Sequence, residues 1–127
     1  LKISRQDRVT LIGSGITLHE CLKAYHLLKK KKIEAAVVDL YCIKPFNGKK
    51  LFNFVKAHGG KIVVVEDHYA EGGIGEMLAE ELENTEIKIK HLAVSRMPHS
   101  GESEELLEKY KIDAKAIMNA ALKIIGK

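Results

Sequence analysis

Cysteine pairs, long apolar runs and the aromatic signatures of RNA-binding sheets are all missing from this sequence, and each absence excludes a class of protein. Its two cysteines, Cys21 and Cys42, form neither a Cys-x-x-Cys pair nor a zinc spacing. Both sit among apolar neighbours, so buried free thiols in a reducing compartment are expected, and the cytoplasm is the expected location. No apolar run approaches the length of about 20 residues that a membrane-spanning helix needs. The first residues, LKISRQDRV, carry neither a Met nor a charged-then-apolar signal pattern. The chain is therefore expected to be a piece of a longer protein, or one subunit of a divided one. His-x-Glu and His-Glu-x-x-His spacings are absent, and so are the aromatic RNA-binding motifs.

What is present fits one globular domain over residues 1–127. Folding a chain of this size removes roughly two-thirds of its surface from water, enough for a real core. The formal charge of +4 comes from 21 basic against 17 acidic residues. Much of the excess is the run Lys29 to Lys32, read as a solvated helix C-terminus whose cations meet the negative end of the dipole. A nucleic-acid footprint needs a broader basic face, so neither nucleic acid nor a membrane is expected as a partner.

Three short apolar runs without alternation, at 9–12, 35–38 and 62–65, suit parallel strands covered on both faces. A fourth, 87–92, alternates apolar with polar and belongs at a sheet edge; residues 1–4 could add a strand at the other edge. Between the runs lie helical spacings. Thr17 and Glu20 match a capping box, and Leu18, Leu22, Tyr25 and Leu28 follow on one face. Leu51 and Val55 follow Asn47 as cap; Ile74, Leu78 and Leu82 form a third stripe. Ile117, Ala121 and Ile124 follow Asp113, and a short helix is expected over 104–110. Strand–helix alternation at this rhythm predicts a three-layer α/β/α sandwich with a mostly parallel sheet.

Several stretches suggest chemistry. Gly13, Ser14 and Gly15 end the first strand and open a helix, where backbone N–H groups can hold an anion. The dinucleotide fingerprint would need a glycine where Leu18 stands, so a tight turn is the plainer account. Glu66, Asp67 and His68 end the third strand. Such a carboxylate and imidazole can act as an acid/base pair or bind a metal, yet neighbours on an extended chain point to opposite faces. Side chains that hold their own loop are the expected reading. Gly72, Gly73 and Gly75 imply tight packing of the following turn against a partner surface. Ser100, beside His99, lacks the nucleophile elbow Gly-x-Ser-x-Gly.

Taken together, VEDHYAEGGIGE and HLAVSRMPHSGESEELLEKYKIDAKAI, with VTLIGSGITLHECLKA and DLYCIKPFN, resemble the C-terminal domain of transketolases in order from Val9 to about Ile117. The glycine loop is shared with the β subunits of 2-oxo-acid dehydrogenases and with deoxyxylulose-phosphate synthases. The segment HLAV…P-x-SG…ELL favours transketolase.

The resemblance implies a five-stranded mixed sheet with one antiparallel edge strand, in a domain of an enzyme that moves a two-carbon ketol unit between sugar phosphates in the pentose phosphate pathway. It implies thiamine diphosphate and a divalent cation (Mg or Ca) for the whole enzyme, held by pyrophosphate- and pyrimidine-binding domains, and none bound by this domain. No catalytic, cofactor or metal residue is thereby assigned to this chain. Glu66, Asp67, His68, Tyr69, Glu71, Gly72, Gly73 and Gly75 become an interface and structural loop, Gly13, Ser14 and Gly15 an anion turn at most. The implied partners are the other domains of the same enzyme, assembled as a homodimer. Two positions depart from the family pattern: Lys111 stands where Gly is frequent, and His99 where Arg is frequent. A free-standing anion- or nucleotide-binding module remains the alternative of a different class.

Overall fold

β-Branched and leucine-rich tetrads become strands here because both of their faces are covered. The computed structural model describes residues 6–13, 16–39, 48–66, 78–80, 82–93 and 113–126. Strands β1 (Thr10–Gly13), β2 (Ala36–Asp39), β3 (Lys61–Glu66) and β4 (Lys88–Ala93) form one sheet in the order β2-β1-β3-β4. Every pairing in it is parallel. Helices α1 (Ile16–Lys30), α2 (Gly48–Ala57) and α3 (Ala114–Ile124) complete the described elements. The runs expected at 9–12, 35–38, 62–65 and 87–92 are thus all strands within a residue or two. Among the described strands, the alternating run is the outermost one beyond β3. The fifth, antiparallel strand and the candidate strand at 1–4 lie outside the described residues, as do Asn47, Ile74, Lys111, Cys42 and the 104–110 helix.

Strand alternation sorts the core into two layers. Leu11, Val37, Val63 and Val65 face α1 and α3, meeting Cys21, Ala24, Leu28, Ile117 and Ala121. Ile12, Val38, Ile62 and Val64 face the other way, onto Leu51 and Val55 of α2 and onto Leu78, Leu82 and Ile87. Helices therefore cover both faces, the expected α/β/α sandwich. Fully burying each such aliphatic side chain is worth about 1.5–3 kcal/mol.

Two details of α1 differ from the sequence reading. The helix begins at Ile16, so Thr17 sits inside the first turn, buried, and is not its cap. Glu20 is buried too, with Lys23 at 3.4 Å from its carboxylate. The deepest stripe is Thr17, Cys21, Ala24 and Leu28, while Leu18, Leu22 and Tyr25 are half-buried beside it. Small residues at 17, 21 and 24 let the helix lie close to the sheet, which rotates the bulkier leucines to the flank.

The helix ends show how the chain is turned. Asp113 caps α3 as expected, accepting from Ala116 N at 3.0 Å. At the end of α1, Ile33 N donates to Leu28 O at 3.0 Å and Lys32 N to Lys29 O at 2.9 Å. With Lys32 at φ 63°, this is a Schellman turn that holds a lysine in the place usually given to glycine. Ile33 and Leu28 are buried in the same cluster and supply its apolar contact.

Candidate functional site at the carboxyl ends of the central strands

The chain runs from β1 outward to β2, then returns past β1 to β3. Ligand crevices of open parallel sheets form at such a reversal, outside the carboxyl ends of the strands. Register places Ile12 beside Val64 and Gly13 beside Asp39. The two stretches singled out in the sequence, which begin at Gly13 and at Glu66, therefore leave neighbouring strands on the same rim. Sequence reasoning treated them apart; the topology brings their bases together. Ser14, Gly15, Asp67, His68, Tyr69, Glu71, Gly72, Gly73 and Gly75 lie outside the described residues.

Gly13 is explained by packing. A methyl group on it would lie 3.0 Å from Leu18 N and from the Thr17 carbonyl group. Only a residue without Cβ lets the first turn of α1 approach the strand so closely.

Glu66 points to the α2 face, as Ile62 and Val64 do, and only 3% of it is exposed. Its Oε1 lies 3.0 Å from Nε2 of His91 on β4. With the proton on Nε2, the imidazole donates to the carboxylate and ties the edge strand to the last residue of β3. A carboxylate so deeply placed is tolerated because it is hydrogen-bonded. His91 was not picked out in the sequence. Its only signal was a polar residue at an alternating position of the fourth run.

A second pair occupies the opposite rim. Asp7 Oδ2 lies 2.8 Å from His58 Nδ1, and the Phe54 ring stands 4.3 Å from the imidazole. Asp7 and His58 are 51 residues apart, and nothing in the sequence linked them.

Among the described residues no three His, Cys, Asp or Glu side chains come together to hold a metal ion. Burial pushes the Cys21 thiol up to about 12, with the Glu20 carboxylate adding to the effect, so it stays protonated and unreactive. What the arrangement does is tie the last residue of β3 to β4 through a buried carboxylate.

Known proteins resemble the chain over nearly its whole length. The family model for the transketolase C-terminal domain matches residues 1–117. Human transketolase is 46% identical over 125 residues, covering 98% of this chain and 20% of the human protein. Bovine transketolase-like protein 1 is 42% identical over 130 residues, covering 99% and 22%. Among solved structures, a split-gene transketolase described as an inactive β4 tetramer superposes with a TM-score of 0.81 at 30% identity, covering 96% of this chain and 40% of that one. The transketolase of Campylobacter jejuni shares the fold, with a TM-score of 0.67 at 18% identity over 96% of this chain. The chain spans about a fifth of the length of the curated relatives it matches. By sequence and by fold, it belongs to the transketolase C-terminal domain family.

Proposed function

We propose that the chain is the non-catalytic C-terminal domain, one domain over residues 1–127, of a transketolase. The whole enzyme transfers a two-carbon ketol unit between sugar phosphates, in the pentose phosphate pathway of the cytoplasm. Thiamine diphosphate and a divalent cation (Mg or Ca) supply the carbanion chemistry from the pyrophosphate- and pyrimidine-binding domains. This domain packs against those domains and helps shape the homodimer. Glu66 and His91 hold the base of the loop that carries Asp67, His68, Tyr69, Glu71, Gly72, Gly73 and Gly75, and that loop makes the contact.

The observation that carries this reading is the match to residues 1–117 in relatives named transketolase, of whose length the chain makes up a fifth. Those names also favour transketolase over the 2-oxo-acid dehydrogenase β subunits and deoxyxylulose-phosphate synthases that share the glycine loop. Calorimetry and a ketol-transfer assay test the proposal. The 127-residue chain alone should show no tight thiamine diphosphate binding and no turnover, whereas a protein joining it to the two other domains should show both. Turnover of ketose phosphate by the isolated chain would overturn it.

The likeness to a split-gene transketolase favours a second arrangement, in which the other domains sit on a separate polypeptide. Co-purification of this chain with such a polypeptide, and activity only in the mixture, is the expected outcome in that case.

A further inference from the structure

Charge is divided sharply along this chain. Residues 66–108 hold 12 of its 17 acidic residues and 3 of its 21 basic ones. Helices α1 and α3 both lie outside that stretch, and they pack side by side on the same face of the sheet. Their outward positions are consequently basic. Lys23 and Lys30 stand out from α1, Lys115 and Lys123 from α3, all exposed. Lys29, Lys31 and Lys32 extend the surface at the end of α1, and the remaining exposed positions of the two helices are His19, His26, Asn119 and no acid. Glu20, the acidic residue within α1, is buried and met by Lys23. Asp113 is occupied as the cap of α3. Half-buried Glu34 lies beyond the lysine turn. The face of α2 contrasts with this: exposed Lys49, Lys50 and Lys56 are balanced by Glu80, Glu83 and Glu86, with Lys56 and Glu86 paired at 3.5 Å. The lysine run that looked like an isolated helix end is thus one end of a broader basic surface.

We propose that the outer face of α1 and α3 is a docking surface for the phosphate backbone of duplex nucleic acid, bound without regard to sequence. Four considerations select this occupant. Protein interfaces are depleted of lysine and enriched in arginine and aromatics, the reverse of this face. Stable attachment to an anionic bilayer takes a second, apolar signal, and none of the outward positions is apolar. Single strands are gripped by stacking on exposed aromatic rings, whereas Tyr25 is half-buried with its ring against His26 and under Lys29. Finally, α1 and α3 pack against each other on one face of the sheet, so their exposed lysines join into one extended basic surface of the kind a phosphate backbone requires. Lysines alone contact phosphates and cannot read bases, so the binding is salt-dependent and indifferent to sequence. The proposal does not depend on the enzyme assignment.

The test is fluorescence anisotropy of the full chain with two short duplexes of unrelated sequence, titrated with salt between about 50 and 200 mM. Both duplexes should bind alike, with log affinity falling against log salt at a slope of about −4. The variant Lys23→Gln/Lys30→Gln/Lys115→Gln/Lys123→Gln should lose at least about tenfold in affinity, and the slope should shrink by about one per lysine removed. A control, Lys49→Gln/Lys50→Gln/Lys56→Gln/Lys88→Gln, has the same net charge and should bind within about threefold of the parent on the same slope argument. Circular dichroism checks that each variant is folded. Acetylation footprinting of the unaltered chain gives an independent reading: duplex should protect Lys23, Lys30, Lys115 and Lys123 and leave Lys49, Lys50 and Lys56 reactive. Equal losses in the two quadruple variants, no binding at the lowest salt, or capture by phosphatidylserine vesicles without capture by duplex would each overturn the proposal.

Discussion

The two rims of the sheet each carry a buried carboxylate held by an imidazole, but they are built differently. At the amino ends of the strands, Asp7 and His58 meet at 2.8 Å, and backbone closes the space around them. Arg8 N donates to Glu34 O at 2.9 Å, Gly60 N to Val55 O at 2.8 Å and Lys88 N to Gly60 O at 3.2 Å. Positive φ values at Lys32, Gly59 and Gly60 turn the chain between α1 and β2 and between α2 and β3. At the carboxyl ends, Glu66 and His91 also meet, at 3.0 Å, next in the chain to the sequence's polar and glycine-rich motifs. Among the described residues, one rim is closed by main-chain hydrogen bonds within short connections, and the other is tied by the Glu66–His91 pair. In parallel α/β sheets, stability and function divide between these same two ends.

Breaking the locked rim should produce the largest effect. Gly59 has φ +107°, and a methyl group there would overlap the Arg8 carbonyl and come within 2.7 Å of Val9 N. Both atoms belong to backbone that cannot move without disturbing the entry to β1. Gly59→Ala should therefore cost about 2–4 kcal/mol, from strain at positive φ combined with the overlap. Urea unfolding measures it. Gly60→Ala is the control: its φ is +70°, yet the added methyl would meet nothing within 4 Å. Its loss should be the conformational part alone, roughly 1 kcal/mol. Equal losses at the two glycines would show that close approach to Arg8 does not matter.

The next comparison is between the two pairs. Asp7→Asn and Glu66→Gln change charge with little change of shape, and each weakens a charge-assisted bond to a largely buried imidazole. Each should lower stability by about 1–3 kcal/mol. The rims differ in what else changes. In a full-length protein, Glu66→Gln should also weaken subunit assembly, seen by sedimentation as dissociation at a higher protein concentration. Asp7→Asn should leave that equilibrium where it was. A shift of equal size with Asp7→Asn would mean that assembly follows overall stability and not the loop base.

The features that could be read from residue order share one property: they depend on neighbours close in the chain. The apolar tetrads at 9–12, 35–38 and 62–65 announced strands because burial on both faces leaves no polar alternation. Asp113 announced a helix start because its carboxylate serves an N–H only three residues on. Topology decided the rest. His91 lies 25 residues from Glu66, and His58 lies 51 from Asp7; neither separation is visible before the strands take their order. The basic surface joins helices from opposite ends of the chain, so the run at 29–32 was all that showed. Thr17 and Glu20 illustrate the converse error. Their spacing is that of a capping box, but the helix already begins at Ile16 and both side chains are buried. At Gly13 the sequence alone could not separate packing from ligand binding, because a glycine needed for either leaves the same letter.

The smallest expected effect is also the one whose sign is most informative. Lys32 holds φ 63° at the end of α1, where the Schellman turn favours glycine, and an L-residue there carries a penalty of about 1 kcal/mol. Lys32→Gly removes that penalty and loosens the unfolded chain, two effects that partly cancel. The net result should be a gain of a few tenths of a kcal/mol up to about 1 kcal/mol, read as a higher urea midpoint at unchanged slope. Lys32→Ala separates charge from conformation: it removes the same cation but keeps the strain, so its stability should stay within about 0.5 kcal/mol of the parent. If both variants gained equally, relief of repulsion within the run 29–32 would be the cause. If only the glycine gains, the strain belongs to the turn itself, and the amino rim keeps a lysine at a cost in stability. The same lysine then lies on the basic surface of α1 and α3, so duplex binding by Lys32→Gly and Lys32→Ala should fall by the same small factor even though their stabilities diverge.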